Sequence, residues 1–512
     1  MGKNKRVIGL NPWLARASFM GSLSCEGMRE LEALAFKRGA TAEELMEKAG
    51  RGIAEAILRR YPQGMVAVAC IGSGNNGGDA LVALRYLAAE GWTVGVRCLH
   101  PMVSLGVLPR KKWRELGDCP DYDELMLDSP RHPFVLLDGL LGIGASGPLR
   151  APLVELADWM DEMRRSRGAV VVSMDIPSGV NGDTGEIYDG AVVADLTLTV
   201  GVVKAGLLAP ASVNATGTIE TIPLAELPAP DDDSPCLIDC HSLRGVLLQR
   251  PHDFHKGDAG RVGILAGSRG MLGSAVLCAR GAMRSGAGLV TVFAYEDIYP
   301  MLAAMLPPEV MLHPIKTLDE IRKMPMDVMA MGPGIGLSNQ QENRRWLTLL
   351  RQLDLPLVLD ADALNRFATK SLVKYMRANH ILTPHPGEMA RLFPEGEHMG
   401  RVEKVRAFIE RYPGTTLLLK GAHSIVAQEG EPLHINGSGH AGMACGGQGD
   451  VLTGVVAGLL AQGVSLIDAA RLGAWLCGRA AELAISHGGE SVQSMSAGDI
   501  PNWLGMAFRE LA

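Results

Sequence analysis

Two glycine-rich turns, each carrying an aspartate, hold the residues best suited to chemistry in this chain of 512 residues. They are Gly72-Ser73-Gly74-Asn75-Asn76-Gly77-Gly78-Asp79 and Gly446-Gly447-Gln448-Gly449-Asp450, and each stands before an apolar, helix-patterned segment. Glycines let a backbone approach a ligand closely, and a helix start offers unpaired N–H groups to an anion. The pattern predicts two separate sites for phosphate-bearing ligands. A carboxylate at the mouth of such a turn is an odd neighbour for phosphate. Asp450 makes sense there as a base that takes a proton from a hydroxyl attacking phosphorus, while adjacent N–H groups stabilise the charge on the transferred group. Its alternative role is a helix cap. No Gly-x-x-x-x-Gly-Lys-Ser/Thr run occurs, which excludes a P-loop.

Oxygen donors gather around the first turn. Asp138 ends the run Phe134–Leu137 and leads into a loop from Gly139 to Gly147, while Asp175 ends Val170–Met174 and leads into Pro177-Ser178-Gly179. In an open parallel sheet the carboxyl ends of the strands define the binding crevice. Asn75, Asn76, Asp138, Asp175 and Ser178 are therefore expected to face one place. As hard oxygen donors they suit a group I or II cation rather than zinc. Lys204, after Leu196–Val200, supplies a charge for phosphate or proton transfer. Gly72, Gly74 and Gly77 also satisfy the dinucleotide fingerprint, but the next strand ends in Cys98-Leu99-His100 instead of the acidic ribose partner. An ordinary nicotinamide oxidoreductase lacks its second half here.

These groups need elements to position them. Met28 to Arg60 reads as two helices divided at Gly39, the second opened by a Thr41-x-x-Glu44 capping box and striped by Leu45, Ala49, Ile53 and Ile57. Strands are expected at Met65–Ile71, Thr93–Leu99, Phe134–Leu137, Val170–Met174 and Asp195–Val200, with a helix at Asp79–Glu90. The stretch from Leu227 to Pro235, rich in Pro and Asp, cannot join a core and reads as a linker. A second series then begins, with strands at Val262–Leu265, Val328–Met331, Leu357–Leu359, His380–Leu382 and Thr415–Leu419. Its strand ends carry Gly332-Pro333-Gly334-Ile335-Gly336, Asp360-Ala361-Asp362-Ala363-Leu364-Asn365, Thr383-Pro384-His385-Pro386-Gly387-Glu388 and Lys420-Gly421-Ala422-His423-Ser424. His385 between prolines also suits a plain rigid turn. The expected division is an extension at 1–24, a first domain at 25–226, a linker at 227–235 and a second domain at 236–512.

Composition agrees with two α/β domains: 47% hydrophobic and only 5% aromatic residues, with 62 glycines for tight strand-to-helix turns. A net charge of −7 argues against a nucleic-acid surface. The nine cysteines are scattered, and Cys236-x3-Cys240-His241 has no second ligand pair at zinc-like spacing, so reduced thiols in a cytoplasmic protein are expected. Pro12 and Arg16 interrupt the basic start before a signal-peptide core can form, and no apolar run is long enough to span a bilayer.

The Asn75–Asp79 run, Asp138-x6-Ala145-Ser146-Gly147 and Asp175-Ile176-Pro177-Ser178-Gly179 resemble the NAD(P)H-hydrate epimerase family, from about Met28 to Leu224. The resemblance implies a Rossmann-like three-layer domain that binds hydrated nicotinamide dinucleotide beside a potassium ion. It implies Asn76, Asp138 and Ser178 as potassium ligands. Hydrate contacts would be Asn75, Asn76, Gly77, Gly78 and Asp79, then Gly142, Ile143, Gly144, Ala145, Ser146, Gly147 and Pro148, with Asp175. Asp138 and Lys204 would handle protons. The run Leu141-Gly142-Ile143-Gly144 departs from the family, which often shows Phe before the Gly.

Leu265-Ala266-Gly267-Ser268, the run from Gly281 to Gly288, the Gly-Pro-Gly turn and the Thr-Pro-His-Pro-Gly-Glu run resemble the ribokinase-like superfamily, and within it the ADP-dependent NAD(P)H-hydrate dehydratases, from about His255 to Trp503. A ribokinase-like three-layer α/β domain is implied, with ADP as co-substrate together with magnesium. Asp450 would be the base. Ser274, Gly334, His385 and Asp450 would line the hydrate site, and Lys420, Gly421, Ala422, His423, Ser424 and Gly449 would hold the adenine nucleotide. Gln448, Ser274, Ser424 and His440 depart from the residues usual in that family. Together the two resemblances imply metabolite repair: epimerisation of the S and R forms of hydrated NADH and NADPH, and dehydration of the S form at the expense of ADP, giving AMP and phosphate. Small-molecule substrates, no nucleic acid or membrane partner, and a homo-oligomer are expected. The alternatives are a ribokinase-like alcohol kinase fused to a nucleotide-binding module, and a first domain that only binds.

Overall fold

The structure, a computed structural model, describes residues 21–62, 65–99, 101–117, 119, 134–228, 234–247, 249–336, 340–368 and 375–511. Residues 1–20 of the expected extension and 229–233 of the expected linker lie outside the described residues. The chain forms two compact units, one of Ser18–Asp239 and one containing Cys240–Ala512. Among the described residues no helix is long and apolar enough to cross a membrane.

In the first unit the helices Cys25–Lys37 and Ala42–Arg60 follow the expected division, and Thr41 and Glu44 form the expected capping box. Six strands build one all-parallel sheet: β1 (Val66–Ile71), β2 (Thr93–Arg97), β3 (Phe134–Gly139), β4 (Val170–Met174), β5 (Leu196–Val200) and β6 (Thr218–Ile222). Their order is β2-β1-β3-β4-β5-β6. The chain steps from β1 outward to β2 and returns to β3 on the other side of β1. That reversal opens a crevice at the carboxyl ends of β1 and β3, where doubly wound sheets hold their ligands. The helix after β1 spans Asn75–Ala89, starting four residues earlier than the expected Asp79. Asn75 and Asn76 thus belong to its first turn rather than to a free loop. Gly72 is obligatory at the crevice, since a Cβ there would lie 1.9 Å from the Leu140 carbonyl oxygen.

A short strand, β7 (Cys236–Ile238), precedes the second unit. That unit contains β8 (Arg261–Leu265), β9 (Leu289–Tyr295), β10 (Met311–Ile315), β11 (Val328–Met331), β12 (Leu357–Leu359), β13 (His380–Leu382), β14 (Thr416–Leu419), β15 (Ile425–Ala427) and β16 (His434–Asn436). They lie in the order β10-β9-β8-β11-β12-β13-β14-β15-β16. Pairing is parallel from β10 to β14, and β15 and β16 are antiparallel additions. The direction reverses at β8 and β11, and the two strand-end turns meet there: the Gly267 N–H donates to the Pro333 carbonyl at 2.8 Å.

Helices Leu272–Arg284 and Gln448–Ala461 pack against each other in close backbone contact, and both touch β8. A Cβ on Gly454 would lie 2.0 Å from the Cys278 carbonyl oxygen, and one on Gly458 would lie 2.7 Å from that of Ala282. Backbone cannot yield as a flexible side chain does, so Gly454→Ala must push the helices apart. The expected result is a loss of about 2 kcal/mol, read as a lower melting temperature of the second unit together with weaker second-unit activity. An unchanged melt would mean that this contact does not set the helix spacing.

Candidate active sites

At the end of β3, Asp138 is fully buried, paired in register with Cys70 of β1 and Ser173 of β4. Its Oδ2 accepts from the Ser173 hydroxyl and the Ser178 N–H, both at 2.8 Å. Its Oδ1 accepts from the Ser178 hydroxyl at 2.6 Å and the Leu140 N–H at 3.3 Å. Burial pushes this carboxyl above its ordinary value, and the donors from Ser178, Ser173 and Leu140 pull it back. The Ser178 hydroxyl accepts from the Leu141 N–H at 2.9 Å, and the Asn76 amide donates to the Leu141 carbonyl at 2.7 Å. The turns after β1, β3 and β4 are thereby joined at the crevice. A cleft lined by Leu141, Gly142, Ala145, Ser146, Gly147 and Ser178 opens beside them.

Asp175 belongs to a second group. It sits at φ +69°, an unusual conformation for a residue with a side chain and one that functional sites tend to hold. Its Oδ1 accepts from the Val200 N–H at 3.0 Å, from the Thr199 hydroxyl at 3.3 Å and from the Lys204 ammonium. Lys204 is 1% exposed and also donates to the Val200 carbonyl at 2.8 Å. Asp79 lies near this pair, where burial, and then Asp175 and Glu32, push its carboxyl well above the usual range against the pull of Lys204. The groups expected to face one place form two hydrogen-bonded sets at the carboxyl ends of the strands. Asn76, Asp138 and Ser178 share one hydrogen-bonded cluster, Asp175 pairs with Lys204, and Asn75 is exposed at the helix start.

In the second unit, Gly447 at φ +93° turns the chain into the helix Gln448–Ala461, so Asp450 lies in the first helical turn. Burial pushes its carboxyl up to about 6. The Ser274 hydroxyl, its hydrogen-bond partner, and the Lys420 charge oppose this, while Asp360 and Asp362 reinforce it. Gly334, at φ +60°, meets Ser274: a Cβ there would lie 2.9 Å from the Ser274 hydroxyl oxygen. Lys420, at the end of β14, donates to Asp360 Oδ1 at 2.6 Å and lies 3.9 Å from Glu388. A Cβ on Gly449 would sit 3.1 Å from the Lys420 Nζ and 3.2 Å from Asp360 Oδ2. The ammonium thus stands beside a helix start whose first N–H groups have no intrahelical partner.

The rest of the Lys420–Ser424 turn is shaped by Arg401, which donates to the carbonyls of Ala422 at 2.6 Å and His423 at 3.2 Å. Ser424 donates to the Gly421 carbonyl at 3.0 Å. Burial and the Arg401 charge hold His423 down at about 4, so its imidazole is neutral at pH 7. His385 caps the helix Pro386–Leu392, its Nδ1 accepting from the Gly387 N–H at 3.0 Å while Glu388 accepts from its backbone N–H at 2.8 Å. The rigid-turn role is filled, and the half-exposed ring has its Nε2 3.3 Å from Glu388 Oε1. In sequence Asp360 and Glu388 stand out only as members of strand-end runs, and Thr453 does not stand out at all. Thr453 carries one usable signal, its spacing of three from Asp450, which places both on one helix face.

The two units match two different family profiles. Residues 42–206 match one described as YjeF-related protein N-terminus, and residues 262–502 one described as NAD(P)H-hydrate dehydratase. A bifunctional NAD(P)H-hydrate repair enzyme of Coxiella burnetii is 34% identical over 476 residues, covering 90% of this chain and 94% of the relative. The chain belongs to the bifunctional NAD(P)H-hydrate repair enzymes. The Escherichia coli member is 33% identical over 87% of this chain and 86% of its own length. A solved structure of the ADP/ATP-dependent NAD(P)H-hydrate dehydratase from Bacillus subtilis, co-crystallised with ATP and Mg2+, is 26% identical with a TM-score of 0.47, over 54% of this chain and 99% of that one. As a repair enzyme of this family, the chain carries an NAD(P)H-hydrate epimerase in its first unit and an NAD(P)H-hydrate dehydratase in its second. The fused alcohol kinase and the purely binding first domain are both set aside, because the relatives match along both units.

Proposed function

We propose that the first unit interconverts the S and R forms of hydrated NADH and NADPH at the Asn76–Asp138–Ser178 crevice, and that the second restores the S form with ADP, releasing AMP and phosphate. One observation carries the dehydration step. Asp450, with a carboxyl pushed up to about 6, stands at a helix start beside the Lys420 ammonium. The base takes the proton of the hydrate's ring hydroxyl, and that oxygen attacks the terminal phosphorus of ADP. The bond from phosphorus to the AMP oxygen breaks, and Lys420 and the helix N–H groups hold the negative charge that builds. The phosphorylated ring then expels phosphate and loses a neighbouring ring proton, which regenerates the reduced nicotinamide ring. Ser274, Gly334 and His385 line the hydrate, and Lys420, Gly421, Ala422, His423, Ser424 and Gly449 line the nucleotide. Magnesium bound to the ADP phosphates would add positive charge at the transferred group.

For epimerisation, Asp138 and Lys204 handle protons, and Asp175 holds the Lys204 ammonium. The glycine turn with Asn75 to Asp79 and the loop Gly142 to Pro148 hold the dinucleotide. The Asn76, Asp138 and Ser178 oxygens fit a potassium ion: all are hard donors, and among the described residues the four hydrogen bonds to the buried Asp138 come from neutral groups. When bound, the ion would supply the positive charge that this carboxylate lacks.

The test is product analysis on mixed hydrate epimers with ADP across a pH series. AMP and phosphate are expected in equal amounts with the regained absorbance of reduced nicotinamide. Because Asp450 works only when deprotonated, the dehydration rate should be flat above pH 7. Below about 6 it should fall by about tenfold per unit. A stable phosphorylated product without phosphate release contradicts the proposal. So does a rate with no acid limb between pH 5 and 7.

A further inference from the structure

Asp360 follows β12 and is 1% exposed, a burial that an ionised carboxylate tolerates only when paired. Both its partners come from distant parts of the chain. Oδ1 accepts from the Lys420 ammonium at 2.6 Å, from the end of β14. Oδ2 accepts from the Thr453 hydroxyl at 2.9 Å, from the helix that carries Asp450. The backbone at this point is also forced. Ala361 sits at φ +48°, and a Cβ on Gly332 would lie 1.9 Å from the Asp360 carbonyl oxygen. Strain of this kind persists only where the surroundings over-determine the geometry.

We propose that Asp360 is a positioning residue of the dehydratase, one buried carboxylate that holds Lys420 at the nucleotide phosphates and, through Thr453, sets the rotation of the helix bearing Asp450. The proposal rests on Asp450 as the base and Lys420 as a nucleotide contact, as argued above. Thr453 lies three residues after Asp450, so a hydrogen bond on Thr453 constrains the face from which Asp450 projects. Removing Asp360 frees both the ammonium and the helix at once, although Asp360 itself touches no reacting atom.

A pH effect separates this role from a merely structural one. Asp450 is faced by Ser274 and Cys278 from the helix Leu272–Arg284, by Asp360 and Asp362 from the exit of β12, and by Lys420 from β14, with Glu388 3.9 Å from that lysine. The Asp360 charge favours the protonated form of Asp450. Its removal favours the ionised form even with the Lys420 ammonium released, because Asp360 bears on Asp450 more strongly than Lys420 does. The acid limb of dehydration then moves to lower pH.

The experiment uses the full chain with the S form of hydrated NADH and ADP, and compares Asp360→Asn, Lys420→Met, the double variant and Thr453→Val. Asp360→Asn should raise the KM for ADP by about tenfold or more, the scale of one hydrogen bond to a charged group, and move the acid limb down. Thr453→Val should lower kcat while leaving the KM for ADP within about twofold, since it touches only the helix side of the carboxylate. In the double variant the KM should be no worse than in Lys420→Met alone, because the two residues act as one unit. Epimerisation in the same preparations reports that the chain is folded. If Lys420→Met leaves the KM unchanged, the underlying assignment of Lys420 fails and the proposal falls with it. If Lys420→Met raises the KM while Asp360→Asn changes neither KM nor the acid limb, or the two losses simply multiply, the positioning role alone is overturned.

Discussion

Asp450→Asn should lower dehydration by about 10^3-fold, the range lost with a general base, while epimerisation in the same molecule continues at the parent rate. The side chain keeps its size, so the tight packing of Gly454 and Gly458 on the facing helix is undisturbed. What disappears is the ability to take a proton. The acid limb near pH 6 should vanish with it, because the group whose carboxyl is pushed up to about 6 is gone. Binding of ADP should persist, since Lys420 and the helix start remain. The measurement is the rate of AMP release with separate epimer analysis on one preparation. Retention of more than a tenth of the parent rate would mean that another group takes the proton, and Glu388, which burial pushes up, would then be the first to examine.

Asp138→Ala should have the converse result, with epimer equilibration falling by about 10^2-fold or more and the S form still dehydrated normally by the second unit. Stability is the complication. The substitution strands the Ser173 hydroxyl, the Ser178 N–H and the Leu140 N–H at a fully buried position, and leaves the Ser178 hydroxyl only the Leu141 carbonyl at 3.4 Å. Each unmade hydrogen bond costs about 1–3 kcal/mol, so the first unit should also melt earlier. Asp138→Asn separates the two effects. It retains volume and one carbonyl acceptor, and so should recover much of the stability without recovering epimerisation. Potassium titration of the parent and the Asn variant, followed by the melting temperature, adds a readout free of catalysis. A parent melt that rises with potassium and an Asn variant that ignores it would support the cation assignment. Equilibration that survives in Asp138→Ala would overturn the whole site.

Much of the scaffold is legible in the sequence because parallel strands covered on both faces read as apolar runs. β1, β3, β4 and β5 in the first unit, and β8, β11, β12, β13 and β14 in the second, fall on such runs to within about two residues. The strands absent from the expected set have physical reasons, with one exception. β6 interrupts its pattern with Thr218, Glu220 and Thr221, and Glu220 is acceptable there because Arg59 and Arg60 pair with it. β10 contains His313 and Pro314, tolerable only on an edge. β7, β15 and β16 are three residues each, too short to show a period. The exception is β9, whose Leu-Val-Thr-Val-Phe-Ala-Tyr run is a plain strand signal. The helix start at Asn75 is hidden because a glycine-rich run suggests a loop, whereas here Gly77 and Gly78 lie in the helix's first turn, packed where side chains would collide.

The sequence by itself determined the two α/β series, the glycine turns and the types of group at each strand end, because local periodicity and turn chemistry depend only on neighbours. It could also tie them to two resemblances, which the relatives bear out along both units. Only the tertiary structure decided which groups meet. Asp138 meets Ser178 across 40 positions, while Asp175, from the same run as Ser178, turns instead to Lys204. Asp360 reaches Lys420 across 60 positions and Thr453 across 93. Such pairings follow from strand order and register, which place distant turns on one edge of a sheet, and no spacing along the chain encodes them.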